Sequence, residues 1–179
     1  MQLLKSTQHP SLLNIEGDCL TRKASRGIVL DGENILLLYT QRYHDYSLPG
    51  GGVDDGESLI DGLKRELKEE TGAQNVEVLA EFGLYEEYRP WHKEHFDIIH
   101  MLSYCYVCKI SKVLTETAHE SHEIQNGMEP VWVNIFEAIR HNEETIKASP
   151  KKGLSIDRET FLLKKIAQEL VINESLLAT

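Results

Sequence analysis

GGVDDGESLIDGLKRELKEETGA, residues 51–73, carries the strongest local pattern in the chain. Its second half is spaced as a short amphipathic helix. Leu59, Leu63 and Leu67 recur every four residues and form one apolar stripe. Ser58 is placed to cap the helix, and Asp61, three residues on, is a shorter-armed form of the capping-box partner. Gly72 is the expected stop, free to take a left-handed conformation after the last turn. Upstream, Gly50, Gly51 and Gly52 follow Pro49. Three successive glycines make a turn and let the backbone approach a ligand closely.

The charges run against helix stability. Glu66, Glu69 and Glu70 crowd the C-terminal half, where the helix dipole is already negative. Each carboxylate there costs roughly 0.3–1 kcal/mol, and the i,i+4 pair Glu66/Glu70 adds a few tenths more. Spacings of three and four put all three on adjoining strips of one face. One reading is a solvated acidic surface partly relieved by Arg65 pairing with Glu69. The other is a site for a hard divalent cation, which takes oxygen ligands and would cancel the repulsion.

The full spacing favours the second reading. Gly51 is followed after five residues by Glu57, and after seven more by Arg65-Glu66-Leu67-Lys68-Glu69-Glu70-Thr71-Gly72-Ala73. This resembles the Nudix box, G-x5-E-x7-R-E-U-x-E-E-x-G-U with U aliphatic. Every charged and glycine position matches, and only Ala73 is smaller than usual. The resemblance implies an α/β Nudix fold, a mixed β-sheet sandwiched between α-helices. It implies Mg²⁺ or Mn²⁺ as cofactor, with Glu66 and Glu70 as direct ligands and Glu57 and the Gly51 carbonyl completing the set. Glu69 is then a ligand or the base that deprotonates water, and Arg65 holds a glutamate of the cluster in place. In this family a glutamate from the loop before the last core strand often joins the metals or acts as base. Glu120, Glu123 and Glu129 qualify by position, and Glu123 is carried forward as a catalytic candidate.

Composition narrows the class. The chain has 179 residues, enough for one domain with a sizeable core, and no apolar run of membrane-spanning length. A cytoplasmic, non-membrane protein is expected. The formal net charge of −10 argues against binding a nucleic-acid polymer through its backbone, though not against a small phosphorylated substrate drawn in by a metal. Cys105 and Cys108 spell C-x-x-C within SYCYVCKI, which reads as a strand, so the two thiols are expected on opposite faces.

Elsewhere the patterns are weaker. Residues 1–20 are expected as a small hairpin or as an N-terminal arm that packs on a partner subunit of a homodimer, and 21–179 as a single domain. Ser25–Leu30 and Ile35–Thr40 read as a β-hairpin around Asp31-Gly32-Glu33-Asn34, with Arg22, Arg26 and Arg42 near its ends. Arg26 and Arg42 are candidates for a substrate phosphate. Tyr46 either stacks on a nucleobase or covers the core. Val76–Phe82 and Phe96–Ile110 read as strands, and YEEYRPWHKEH, residues 85–95, as a substrate-selecting lid whose Arg89 binds substrate. Residues 115–128 are polar, with His119 and His122 three apart; a separate zinc site there lacks a rigid element to hold it. A helix begins at Ile135 with Asn134 as cap, residues 147–155 form a link, and Asp157 caps a helix over about 157–172.

The implied activity is hydrolysis of the pyrophosphate bond of a nucleoside diphosphate linked to another group, an NDP-sugar or ADP-ribose-like molecule. The alternatives are a nucleoside-triphosphate pyrophosphohydrolase and a regulatory module that binds nucleotide without turnover.

Overall fold

A computed structural model describes residues 1–12, 17–91, 95–111 and 113–173. In chain order the strands are β1 (Leu3–Gln8), β2 (Cys19–Ile28), β3 (Leu30–Asp31), β4 (Asn34–Thr40), β5 (Asp45–Ser47), β6 (Glu77–Pro90), β7 (Ile98–Lys109) and β8 (Met128–Asn134). The helices are α1 (Leu59–Thr71), α2 (Ser121–Asn126), α3 (Ile135–Ala148) and α4 (Ile156–Ile166), the last continued by a wider-turned segment, Ala167–Ile172.

The longest strands form a mixed sheet in the order β1-β6-β7-β2. β6 and β7 are antiparallel, whereas β1 with β6 and β2 with β7 run parallel. A smaller antiparallel sheet centres on β4, which pairs with β3, β5 and β8. Helices cover the main sheet on both faces. Leu63 and Leu67 of α1 pack with Tyr106 and Cys108 on one face. Leu162, Leu163 and Ile166 of α4 pack with Tyr85 and Cys105 on the other. The two cysteines therefore enter different apolar clusters, as an odd strand offset requires. The expected α/β class, a mixed sheet between helices, is the architecture observed.

Local expectations survive best where capping is explicit. Ser58 Oγ accepts the Asp61 N–H at 3.1 Å, and Gly72 ends α1 with φ +71°. Asn134 caps α3 by accepting from Phe136 N and Glu137 N. The residue before α4 is Ser155 rather than Asp157, which sits in the first turn instead. α3 runs to Ala148, so the link after it is shorter than residues 147–155.

Four expectations are corrected. The N-terminal segment forms no hairpin of its own: β1 lies along β6, with Leu4 packed onto Gly83, where a Cβ would stand 2.3 Å from it. A lone strand has unpaired amides, and β6 supplies their partners; residues 13–16 lie outside the described part. The Ser25–Leu30 strand starts earlier, at Cys19, and pairs mainly with β7, leaving only Leu30 and Asp31 in the hairpin with β4. The proposed lid is mostly strand, because β6 extends to Pro90 opposite Ile98 and alternates Tyr85 and Glu87 into the core; residues 92–94 lie outside the described part. The polar stretch 115–128 contains α2, closed by a Glu120/Glu123 capping box and stopped by Gly127 at φ +64°.

Candidate active site

The glycine loop runs beside β2 as a short added strand. Gly27 N donates to Pro49 O at 2.8 Å, Ser25 N to Gly51 O at 3.0 Å and Val53 N to Lys23 O at 3.0 Å. Alternation then turns Gly51 toward α1, where an added Cβ would stand 2.5 Å from Glu66 Oε2. A side chain at 51 would therefore displace the carboxylate packed against it. The Gly51 carbonyl, expected to face a cation, commits one of its two lone pairs to Ser25 N.

Arg65 gathers the acidic side chains of the box. Its Nε and Nη2 grip Glu57 as a fork, both at 3.0 Å. Its Nη1 reaches Glu66 at 2.7 Å and Glu69 at 3.3 Å, and Nη2 also donates to Gly52 O at 2.9 Å. This fork holds the Glu57 carboxyl below its usual range. Glu66 is pushed up by burial, against the pull of Arg65.

Glu70 stands a step deeper. It is 6% exposed and accepts the Gly50 N–H at 2.5 Å. Burial raises its pKa to about 8; Arg26 and the Gly50 N–H pull it down, while Glu66 and Glu123 push it up. His119 Nε2 lies 2.8 Å from the Glu70 carbonyl, and Ala118 N donates to Glu69 O at 2.7 Å, so the segment before α2 is tied to the end of α1. That tie brings Glu123 into the field of Glu70. Glu123 also serves its own helix, accepting Glu120 N at 2.6 Å. His122 faces Glu120 on the surface at 3.1 Å and does not join His119 in a metal site.

The basic and aromatic candidates separate. Arg26 donates from Nη1 to Gly50 O and, at 3.4 Å, to Leu48 O, beneath the glycine loop and close enough to act on Glu66 and Glu70. Arg89 lies in β6 on the face opposite α1, in the field of Arg26 and Arg158. Arg42 binds Asn126 Oδ1 of α2 at 3.0 Å. Tyr46 packs with Tyr39 and His141, ring centroids 5.1 and 4.9 Å away, and covers the core beside α3.

Sequence reading missed one group that supports the site. Glu159 of α4 is fully buried, and its Oε2 accepts the Leu48 N–H at 2.9 Å, two residues before Gly50. Ile156, Glu159, Leu163 and Ile166 share the buried stripe of α4. An acid at an apolar position of that spacing was the available signal.

Among the described residues, no three acidic, histidine or cysteine side chains already converge on one point. The guanidinium of Arg65 stands among Glu57, Glu66 and Glu69 instead. The donor set nevertheless suits a hard divalent cation: all its side-chain oxygens are carboxylate, and Glu70 is a buried carboxyl destabilised by other carboxylates. A cation there would reverse the sign of that field.

A family model described as a NUDIX domain matches residues 21–153. An RNA pyrophosphohydrolase of Bartonella henselae is 45% identical over 42 residues, 24% of this chain and 24% of that protein. One of Shewanella piezotolerans is 34% identical over 71 residues, 37% of this chain and 41% of that protein. The chain thus spans well under half the length of these curated relatives. A NUDIX hydrolase structure from Nitrosomonas europaea aligns with a TM-score of 0.53 at 16% identity, covering 76% of this chain and 95% of the other. At that identity the likeness speaks for the fold. Among the described residues, no helix is long and apolar enough to cross a membrane.

Proposed function

The chain belongs to the Nudix family, and from that membership we propose that it is a divalent-metal-dependent pyrophosphohydrolase of small nucleotides. The substrate we favour is a nucleoside diphosphate linked to another group, an NDP-sugar or ADP-ribose-like molecule. The observation that carries the reading is Glu70: a box carboxyl only 6% exposed, raised to about 8 chiefly by burial, set beside Glu66 under the glycine loop.

Glu66, Glu69 and Glu70, with Glu57 and the Gly51 carbonyl, would hold Mg²⁺ or Mn²⁺. When bound, the cation neutralises phosphate oxygens and makes water a better nucleophile. Arg65 keeps Glu57, Glu66 and Glu69 gathered, which limits the reorganisation that binding requires. Glu69 is the most exposed of these carboxylates, at 44%, and is our candidate for accepting the proton of the attacking water, with Glu123 as the second candidate. Arg26 braces the glycine loop from below. Arg42 and Tyr46 are the weaker substrate-contact candidates, since each already has partners of its own.

The relatives named RNA pyrophosphohydrolases raise a second substrate class, a 5′-phosphorylated RNA end. The net charge of −10 disfavours a polymer, whose binding draws on phosphate contacts along its length. The test is a panel of nucleotide sugars, dinucleotides, nucleoside triphosphates and 5′-triphosphorylated RNA with Mg²⁺ or Mn²⁺. Turnover of the sugar or dinucleotide substrates with release of a mononucleotide is expected. Hydrolysis of the RNA alone would replace our substrate class, and turnover of none would favour a binding module.

A further inference from the structure

The sheet face opposite α1 carries a second charge cluster. Glu87 and Arg89 come from β6, Arg26 from β2, and Arg158 and Glu159 from α4. Glu87, Arg158 and Glu159 are buried and satisfy one another. Arg158 donates from Nη1 to Glu87, and from Nε and Nη2 to Glu159 Oε1 at 3.0 and 2.7 Å. Arg26 donates from Nη1 to the loop carbonyls, while its Nε is buried without a hydrogen-bond partner.

Arg89 is left over. Its side chain is 16% exposed, yet among the described residues its guanidinium makes no hydrogen bond. The nearest acid oxygen, Glu87 Oε2, is 3.9 Å from Nε, an ion-pair distance beyond hydrogen-bond reach, while Glu87 Oε1 accepts from Arg158. Its Nε is sealed from solvent without a partner. Burial disfavours its charge, and Arg158 and Arg26 disfavour it further, against the attraction of Glu87. Three guanidinium groups, those of Arg26, Arg89 and Arg158, crowd together here beside Glu87 and Glu159. Buried donors without partners are costly, and more so when charged. An arginine fork whose donors are not satisfied by the protein is complementary to a planar or tetrahedral oxyanion.

We propose that Arg89 is the receptor for a phosphoryl group of the substrate, on the far side of the glycine loop from the box glutamates. Arg26 is the electrostatic neighbour common to both places: it acts on Glu66 and Glu70 on one side and on Arg89 on the other. This rests on the reading of the site as one for pyrophosphate substrates, and it assigns the chain's own cation to the anion there. Recognition at Arg89 requires no metal.

The test is calorimetric titration of metal-free protein, in excess chelator, with inorganic pyrophosphate. Wild type should bind, and Arg89→Gln should weaken the Kd by roughly 10–100-fold, the loss expected for charge-assisted hydrogen bonds. Arg89→Lys, which keeps the charge but loses the fork, should fall between. The ligand-free Tm of Arg89→Gln should equal or exceed that of wild type, because a crowded cation has been removed. Equal Kd values, no binding by wild type, or a large fall in Tm would overturn the proposal. Glu70→Gln separates it from the catalytic reading: that variant should keep metal-free pyrophosphate binding and lose hydrolysis. Wild type that binds through Arg89 but turns over no substrate would sink the catalytic reading alone. Turnover with the same KM in Arg89→Gln would sink the receptor alone.

Discussion

Arg65 and Arg158 perform the same task in two settings. Each gathers glutamates with a guanidinium fork, Arg65 over Glu57, Glu66 and Glu69, Arg158 over Glu87 and Glu159. The side chain of Arg65 is 29% exposed and that of Arg158 is 4% exposed. Around Arg65 the acids outnumber the cation, and Glu70 adds another behind them. Around Arg158 two further guanidinium groups, those of Arg26 and Arg89, stand nearby. The glycine loop divides the two, with Gly50 bonded to Glu70 and Leu48 bonded to Glu159. A fold needs only balanced pairs. Crowded carboxylates on one side of a loop and crowded guanidinium groups on the other are what a metal-bound, phosphate-bearing ligand would complete.

The sharpest way to break this contrast is at Glu70. Replacing it with glutamine keeps a hydrogen-bond acceptor for Gly50 N and removes a carboxylate from the acidic side. Hydrolysis should fall by about 10³-fold or more, since a held cation supplies several kcal/mol of transition-state stabilisation. The ligand-free Tm should hold or rise; a variant retaining most of its turnover would remove Glu70 from the ligand set. On the α4 side of the loop the expected result is the reverse. Glu159→Leu strands Arg158 in the core and should cost about 3–5 kcal/mol, visible as a drop in the denaturation midpoint. A midpoint near wild type would mean that the buried cluster contributes little.

Gly51→Ala tests the loop between them. The new methyl meets the Glu66 carboxylate, a flexible side-chain end, so the fold should persist while Mn²⁺ affinity, read from the free-ion signal in electron paramagnetic resonance, weakens about 10–100-fold. Unchanged affinity would show that the position of Glu66 is not set by the close approach of Gly51.

An effect confined to the higher pH range is expected at Asp45, which is buried and raised to about 6 by burial and then by Glu159. A folded pKa above the unfolded value of 3.8 means that the native state binds the extra proton between these values. Stability therefore falls as pH rises from about 4 through about 6, by up to about 3 kcal/mol, and stays lowered above that. Asp45→Asn should raise Tm at pH 8 and change it little at pH 4. A gain of equal size at both would assign the effect to packing rather than charge.

Legibility followed the range of the interactions. The box helix, its Ser58 cap, its Gly72 stop and the grouping of Glu66, Glu69 and Glu70 were readable because each depends on residues within a few positions along the chain. The Asn134 cap and the opposite faces of Cys105 and Cys108 were readable for the same reason. The segment 85–90 was misread as a lid because its aromatic and charged composition hides a period of two that is visible only against β7. The same limit concealed β1, whose partner, β6, starts nearly seventy residues after it ends.

By itself, the order of residues determined that acids would collect on one helix face beside a glycine turn, since helical geometry converts spacing into proximity. Tertiary structure alone decided what surrounds them: that Arg65 closes on Glu57 from the loop, that Glu159 of a distant helix holds Leu48, and that Arg89 Nε is buried without a hydrogen bond. Those outcomes depend on which long-range strand and helix pairings bury a charge, and the cost of burial is set by neighbours that no local spacing encodes.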